Sequence, residues 1–462
     1  METKLNYKRT FLIGLAFLSI CSFWQMYDNI IPLILQNTYH LGETMTGAVM
    51  ALDNVLAIFL LPVFGMLSDK VHTKLGRRMP FIVAGTILAV IFMMLLPMID
   101  NAEKARWSTG ESFSNQVIFL AVLFFTLVSM GLYRSPAVAL MPDVTPNHLR
   151  SRANAVINLM GAVGGVYALI MIKVLVGKGE TPDYLPLFAS IAAVMAIAVG
   201  ILVITIRENK LREEVEKAET ANAGTIEEKA IAEGVEAAGE IEAVADTEQS
   251  GATGKVKGMT KEVKRSMYFM LASIFLWFTA YNAVTTAFSR YTKVVWKMEG
   301  GSFANCLMVA TVAAILSYIP IGSISAKIGR KKTIMGGVLL MAACYGAAIF
   351  AREYHPLVNV AFALIGVAWA AINVNSYPMI VAMSSGSDVG KFTGTYYTFS
   401  MAAQILTPVL SGFLLENVSY NTLFPYALFF SLMAFLTMTQ VRHGDVKPQK
   451  KESILENFDV DD

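Results

Sequence analysis

Residues 65–82 read GMLSDKVHTKLGRRMPFI, and residues 322–334 read GSISAKIGRKKTI. Each stretch opens with a glycine (Gly65, Gly322) and places a serine three residues on (Ser68, Ser325). A lysine follows two residues later (Lys70, Lys327), and then Gly-Arg runs into a further base (Gly76-Arg77-Arg78, Gly329-Arg330-Lys331). Each stretch lies between the second and third of six long apolar runs. Weak internal symmetry of this kind marks a membrane protein built from two repeats. A chance match of short basic loops is the plain alternative, and the shared position of the two loops argues against it.

Twelve stretches flank and follow these loops: 11–36, 46–67, 80–99, 117–141, 153–176, 184–206, 266–288, 303–325, 333–351, 357–383, 392–415 and 422–441. Each is a mainly apolar stretch that approximately meets the length of about 20 residues of helix needed to cross a bilayer core about 30 Å thick. The runs are continuous rather than alternating, which argues against a β-barrel. Residues 207–262 divide them six and six. That segment is rich in Glu, Ala and Gly and reads as a cytoplasmic linker, helical near 207–218 and mostly disordered beyond, a solvated tether rather than a docking site. The predicted fold class is an all-α polytopic membrane protein with 12 transmembrane helices in two pseudo-symmetric six-helix bundles, 1–206 and 263–441, followed by a tail at 442–462.

Composition agrees. Apolar residues make up 55% of the 462 and charged residues 16%, with a mean hydropathy of +0.53. Soluble proteins carry about 25% charged residues, so lipid is the solvent this chain fits. The net charge of +2 gives no basic field for nucleic acid, and no nucleic-acid partner is expected. Cys21, Cys306 and Cys344 lie in apolar runs without a CxxC pair, and the five histidines are scattered, so no disulfide framework or metal site is expected. The run after Lys4, Lys8 and Arg9 is too long for a signal-peptide core and reads as a retained first helix. With the amino terminus inside, eleven bases fall in short inner loops and six in outer ones, which predicts cytoplasmic termini in a cell membrane.

Charges within spans are costly and mark functional candidates. In the first run, Cys21, Trp24, Gln25 and Asp28 fall at i, i+3, i+4 and i+7, on one helical face. An aromatic plate, an amide and a carboxylate suit a sugar, whose ring face stacks while its hydroxyls need donors and acceptors. Asp53 in the second run lies at nearly the depth of Asp28, about 12 Å below the outer end at 1.5 Å per residue. Two carboxylates at one depth in a low dielectric disfavour double ionisation, so Asp28 and Asp53 are candidates for proton coupling. The alternative pairs one carboxylate with Lys173 and leaves the other bonded to Asn54 or backbone. Arg134 is a candidate for substrate hydroxyls or a carboxylate, unless it snorkels towards the cytoplasm. Arg290 reads as an interfacial anchor. Asn154 and Asn158 share a face with Gly161 and Gly165, which points to close helix packing. Gly65, Asp69, Arg77, Arg78 and Arg330 are candidates for gating, locking the halves together at the inner face when the cavity opens outward and releasing them when it opens inward. Ala326 stands where Asp69 stands in the first repeat, so that lock should be asymmetric.

The six-plus-six arrangement and the Ser68-Asp69-Lys70…Gly76-Arg77-Arg78-Met79-Pro80-Phe81-Ile82 loop resemble the major facilitator superfamily across nearly the whole chain. Within it the loop, with Pro142-Asp143-Val144-Thr145-Pro146…Arg150-Ser151-Arg152-Ala153-Asn154-Ala155, is similar to the sucrose-transporter group and its bacterial relatives, near the glycoside–pentoside–hexuronide:cation symporters. The resemblance implies that the first, fourth, seventh and tenth helices line a central cavity, with parts of the second, fifth, eighth and eleventh. Tyr281, Asn282, Trp369, Asn373, Tyr377, Tyr397 and Gln404 then become candidate substrate contacts. One departure stands out. Plant and animal members place an acidic residue in the outer part of the fourth helix, and Leu120 to Leu132 here holds none.

The function expected is a monomeric secondary transporter that carries a disaccharide or glycoside with a proton by alternating access, without a cofactor. Sodium is the alternative coupling ion, because Asp and Asn oxygens also suit a hard cation. An exporter of the same fold is a second alternative, although Gly161-Ala162-Val163-Gly164-Gly165 lacks the Gly-Pro of such exporters. A membrane enzyme or scaffold is a third, and no catalytic cluster near a membrane face supports it.

Overall fold

The computed structural model describes residues 5–109, 115–217, 220, 260–383 and 389–445. Among these, twelve long helices run in chain order. They are α1 (Tyr7–Asn37), α2 (Glu43–Lys70), α3 (Met79–Thr109), α4 (Gln116–Asp143), α5 (Arg150–Leu175), α6 (Leu185–Thr205), α7 (Lys261–Val294), α8 (Ala304–Ile328), α9 (Arg330–Ala348), α10 (Val358–Met383), α11 (Val389–Asn417) and α12 (Leu423–Thr439). Each coincides with one predicted run to within a few residues. Eleven are long and apolar enough to cross a membrane. The remaining one, α9, has 19 residues and begins with Arg330, Lys331 and Lys332, which lowers its hydropathy. Residues 208–217 are also helical, and the rest of the expected disordered linker lies outside the described residues.

The helices alternate in direction, so the start of α1 and the ends of α2, α4, α6, α8, α10 and α12 lie at one end of the molecule. We call this the terminal end and the opposite one the far end. The repeat read from the loops is a repeat of packing. In the first six helices α1 pairs with α5 and α6, α3 with α4 and α6, and α2 with α4. In the second six, α7 pairs with α11 and α12, α9 with α10 and α12, and α8 with α10. Between bundles, α2 lies along α11 and α5 along α8, again a symmetric exchange.

Local chemistry explains the crossings. Gly164 brings α5 against α1 so closely that a Cβ would overlap Leu18 O, and Ser22 Oγ donates to Gly164 O at 2.9 Å. Ser19 Oγ and Tyr133 OH, 2.6 Å apart, tie α1 to α4. The last turns of α3 are polar and are held by Asp100, which accepts from Thr38 Oγ1 (2.6 Å) and Lys104 Nζ (2.5 Å). Helices α3 and α9 follow Gly76 (φ +124°) and Gly329 (φ +95°), in the left-handed region that favours glycine.

Candidate functional site

A cavity of about 850 Å³ lies between the bundles, within the roughly 300–1,000 Å³ range of small-molecule pockets. Its wall runs from mid-helix to the terminal end, where Pro142, Arg150 and the exposed Ser151 form its mouth. The predicted face of α1 is part of this wall, because Cys21, Trp24, Gln25 and Asp28 all line it. Asp28 makes no hydrogen bond or ion pair among the described residues. Lys173 is exposed and does not reach it. Asp53 does not line the cavity. It accepts a hydrogen bond from Asn54 Nδ2 at 2.8 Å, which is the local bonding considered above. Its charge and that of Asp28 act on one another and on the buried Tyr27 hydroxyl, and Arg134 acts on Asp53.

Arg134 lines the cavity from α4, with its guanidinium 5.9 Å from the Trp24 ring centroid. On the opposite wall, Tyr281 of α7 and Trp369 of α10 stack with centroids 3.8 Å apart and planes within 8°. Tyr397 also lines the cavity. The other candidates lie elsewhere. Asn373 is buried, and Asn282 and Gln404 are partly buried off the wall. Tyr377 packs against Tyr396 and bonds Thr393 Oγ1 at 3.0 Å. Asn154, Asn158, Gly161 and Gly165 all line the cavity, and Gly161 also packs close to α1 as expected, since a Cβ there would lie 2.9 Å from Cys21 Sγ. Gly164, one position away, makes the tight crossing with α1.

The loop residues form a network within the first bundle. Arg78 pairs with Asp69 (Nη2 to Oδ1, 2.5 Å) and with Asp143 (Nε to Oδ2, 2.8 Å), and its Nη1 donates to Gly65 O at 3.2 Å and to Ser68 Oγ. Arg77 pairs with Asp143 at 2.6 Å and lies 3.8 Å from Asp69. Burial opposes the Arg77 charge. The hydrogen bond to Asp143 and the charges of Asp143, Asp69 and Glu208 outweigh it and hold the guanidinium pKa above its ordinary value. The buried Glu208 accepts the backbone N–H of Arg77, Arg78 and Met79 at 2.9–3.1 Å. These contacts join α2, α3, α4 and the 208–217 helix. In this structure they do not join one half to the other; the cavity is open at this end, the state in which the sequence reading has the lock released.

In the second repeat Asp445 takes the matching place, accepting the N–H of Lys331 at 3.0 Å, while Arg330 donates to Pro378 O at 3.5 Å. The sequence reading missed Asp143, Glu208 and Asp445. The signal for the last two was available, since each is a carboxylate just past the last helix of its half.

Arg290 is not an interfacial anchor. It is 3% exposed and forms an ion pair with Glu43 of α2 at 2.8 Å, at the far end and across the halves. Reading Arg290 alone gave no sign of a partner in the other bundle.

Two six-helix bundles around a cavity that reaches one end define a polytopic membrane protein of the alternating-access type of architecture. The chain belongs to the Major Facilitator Superfamily, whose family model matches residues 12–315 and 296–457. It is accordingly a membrane transporter, embedded in the bilayer, rather than an enzyme. It is similar to a sucrose transport protein of Arabidopsis thaliana, 35% identical over 116 residues, which are 24% of this chain and 22% of the relative. It is also similar to one of Oryza sativa subsp. japonica, 26% identical over 137 residues, 28% of this chain and 27% of the relative. The matches span about a quarter of these relatives. Among solved structures, a bacterial homologue of the iron transporter ferroportin in an inward-facing state shares the fold, with a TM-score of 0.64, 12% identity, and coverage of 95% of this chain and 99% of that one. The nucleoside transporter NupG does likewise, with a TM-score of 0.64, 14% identity, and coverage of 94% and 100%.

Proposed function

We propose that this transporter carries a sugar, a disaccharide or a glycoside, together with a proton, and that it works by alternating access as a monomer without a cofactor. The observation that carries the reading is Asp28, a carboxylate without a hydrogen-bond or ion-pair partner among the described residues, on the wall of the cavity that the Trp24–Arg134 pair and the Tyr281–Trp369 stack also line. Flat aromatic faces suit the C–H faces of sugar rings, and Gln25, Asn154 and Asn158 offer both donors and acceptors to hydroxyls. The similarity to plant sucrose transport proteins supports the same substrate class.

Protonation of Asp28 removes a charge from the cavity and changes the relative cost of its two open forms, so a proton gradient biases which end opens. With the termini in the cytoplasm of a cell-membrane protein, the cavity described here faces inward. Asp53, within electrostatic reach of Asp28, is a second station for the same proton. Sodium is the competing coupling ion, favoured by the carboxylate and amide oxygens of Asp28, Asp53 and Asn54.

The test is uptake into proteoliposomes across an imposed pH gradient, with a panel of disaccharides and glycosides. Gradient-driven accumulation is expected for the native chain and is lost in Asp28→Asn. Accumulation by the variant removes Asp28 from coupling. Uptake driven by a sodium gradient alone overturns the proton reading.

A further inference from the structure

The far end of the cavity is closed by contacts that cross from one bundle to the other, and these converge on the start of α2. Glu43 Oε2 lies 2.8 Å from Arg290 Nε of α7, with side chains 5% and 3% exposed. Tyr420, just before α12, donates its hydroxyl to the other Glu43 oxygen. Glu416 of α11 accepts from Thr44 N at 2.8 Å and from Thr44 Oγ1 at 2.5 Å. Behind these side chains the backbones touch. A Cβ at Gly412 would lie 2.5 Å from Glu43 O, and one at Gly47 would overlap Pro408 O.

We propose that Glu43 and Arg290 are the latch of the far gate, the charge pair whose separation opens the cavity at the end opposite its present mouth. The proposal rests on the alternating-access reading above. For the far end to open, α2 must leave α7 and α11, and this buried pair must part. Its energetics suit a latch. Desolvation cancels much of the Coulomb attraction in a buried pair, so closure stays reversible. Removing one partner leaves an uncompensated buried charge, so the closed form then becomes costly. The pair is also incompletely bonded, because Arg290 Nη1 has no hydrogen-bond partner among the described residues. Water supplies that bond when the gate opens.

The test uses the full chain in nanodiscs, with two reporters read by site-resolved mass spectrometry after maleimide treatment. Thr46→Cys reports the far end, where Thr46 is fully buried. Ser151→Cys reports the mouth, where Ser151 is exposed. Glu43→Gln is expected to raise Thr46→Cys labelling at least about tenfold and to slow Ser151→Cys labelling, as a shift between two states requires. Arg290→Gln shifts both reporters in the same directions. The exchange Glu43→Arg with Arg290→Glu restores native rates. Tyr420→Phe, which changes no charge, gives a smaller shift and serves if the charge variants do not fold.

Unchanged Thr46→Cys labelling in the folded variants overturns the latch. So does faster Thr46→Cys labelling with Ser151→Cys unaffected, because that is local fraying. If Thr46→Cys stays unreactive in every background while uptake proceeds, the alternating-access reading itself falls.

Discussion

Replacing Glu208 with alanine tests how the first bundle is braced. Its carboxylate is 1% exposed and accepts three consecutive backbone N–H groups, those of Arg77, Arg78 and Met79, at the start of α3. Such groups have no partner within the helix. Hydrogen bonds to a charged acceptor contribute about 1.5–3 kcal/mol each, and loss of a helix cap costs about 0.5–2 kcal/mol. Water admitted by the shorter side chain replaces part of what is lost, which leaves a net cost of about 3 kcal/mol. A cooperative unit of 150–250 residues loses about 2–4 °C of melting temperature per kcal/mol, so Glu208→Ala should melt about 6–12 °C below the native chain. The assay is thermal unfolding of purified protein in detergent, followed by loss of the monodisperse peak. Glu208→Gln keeps an acceptor oxygen and should fall between the two. Asp445→Asn weakens a single bond at an exposed site and should move the melting temperature by much less. Glu208→Ala melting within about 1 °C of the native chain would refute the bracing argument.

Other expectations follow from single contacts. Gly164→Ala should abolish folded yield, because its Cβ has only the backbone of Leu18 to displace, whereas Gly165→Ala, 3.7 Å from Gln25 Oε1, should yield folded protein; monodispersity on a sizing column separates them. Maleimide should modify Cys21 and spare the buried Cys306 and Cys344, and saturating sugar should slow the reaction at Cys21, as read by mass spectrometry. Trp369→Ala should raise KM for uptake about tenfold and Trp369→Phe by less, because a stacked ring contributes about 0.5–1.5 kcal/mol beyond its buried area. Equal KM values in the two variants would take Trp369 out of the substrate site.

The twelve helices were legible because each span needs its own continuous apolar run, and lipid enforces that locally. The face of α1 was legible for the same kind of reason: helical spacing alone brings Trp24, Gln25 and Asp28 together. Pairings between distant segments were not. Arg290 finds Glu43 through the docking of two bundles, and Asp143 meets Arg77 and Arg78 through the packing of α4 beside α2 and α3. Spacing carries no signal for such contacts. Asn154 and Asn158 show a second limit. Small and amide residues on one face of α5 serve both a tight crossing and a polar wall here, and the rotation of the helix, set by Gly164 against Leu18 and Gly161 against Cys21, is what turns the amides to the cavity.

The charge networks at the two ends of the molecule differ in what they join, and that difference bears on how the carrier moves. At the terminal end, Asp69, Arg77, Arg78, Asp143 and Glu208 bind helices of one bundle to each other, and Asp445 and Lys331 do the same in the other. Rotation of one bundle against the other leaves these bonds intact. At the far end, Glu43 with Arg290 and Thr44 with Glu416 join opposite bundles, so the same rotation must break them. The cost of changing state therefore falls on the contacts that cross between bundles, these pairs together with the packing of α2 along α11, and not on the packing within either bundle. In the mechanism proposed above, a proton on Asp28 would have only to shift the balance by a few kcal/mol to populate the other form. That amount is within reach of one carboxylate gaining or losing its charge, and far below what unpacking either bundle would require.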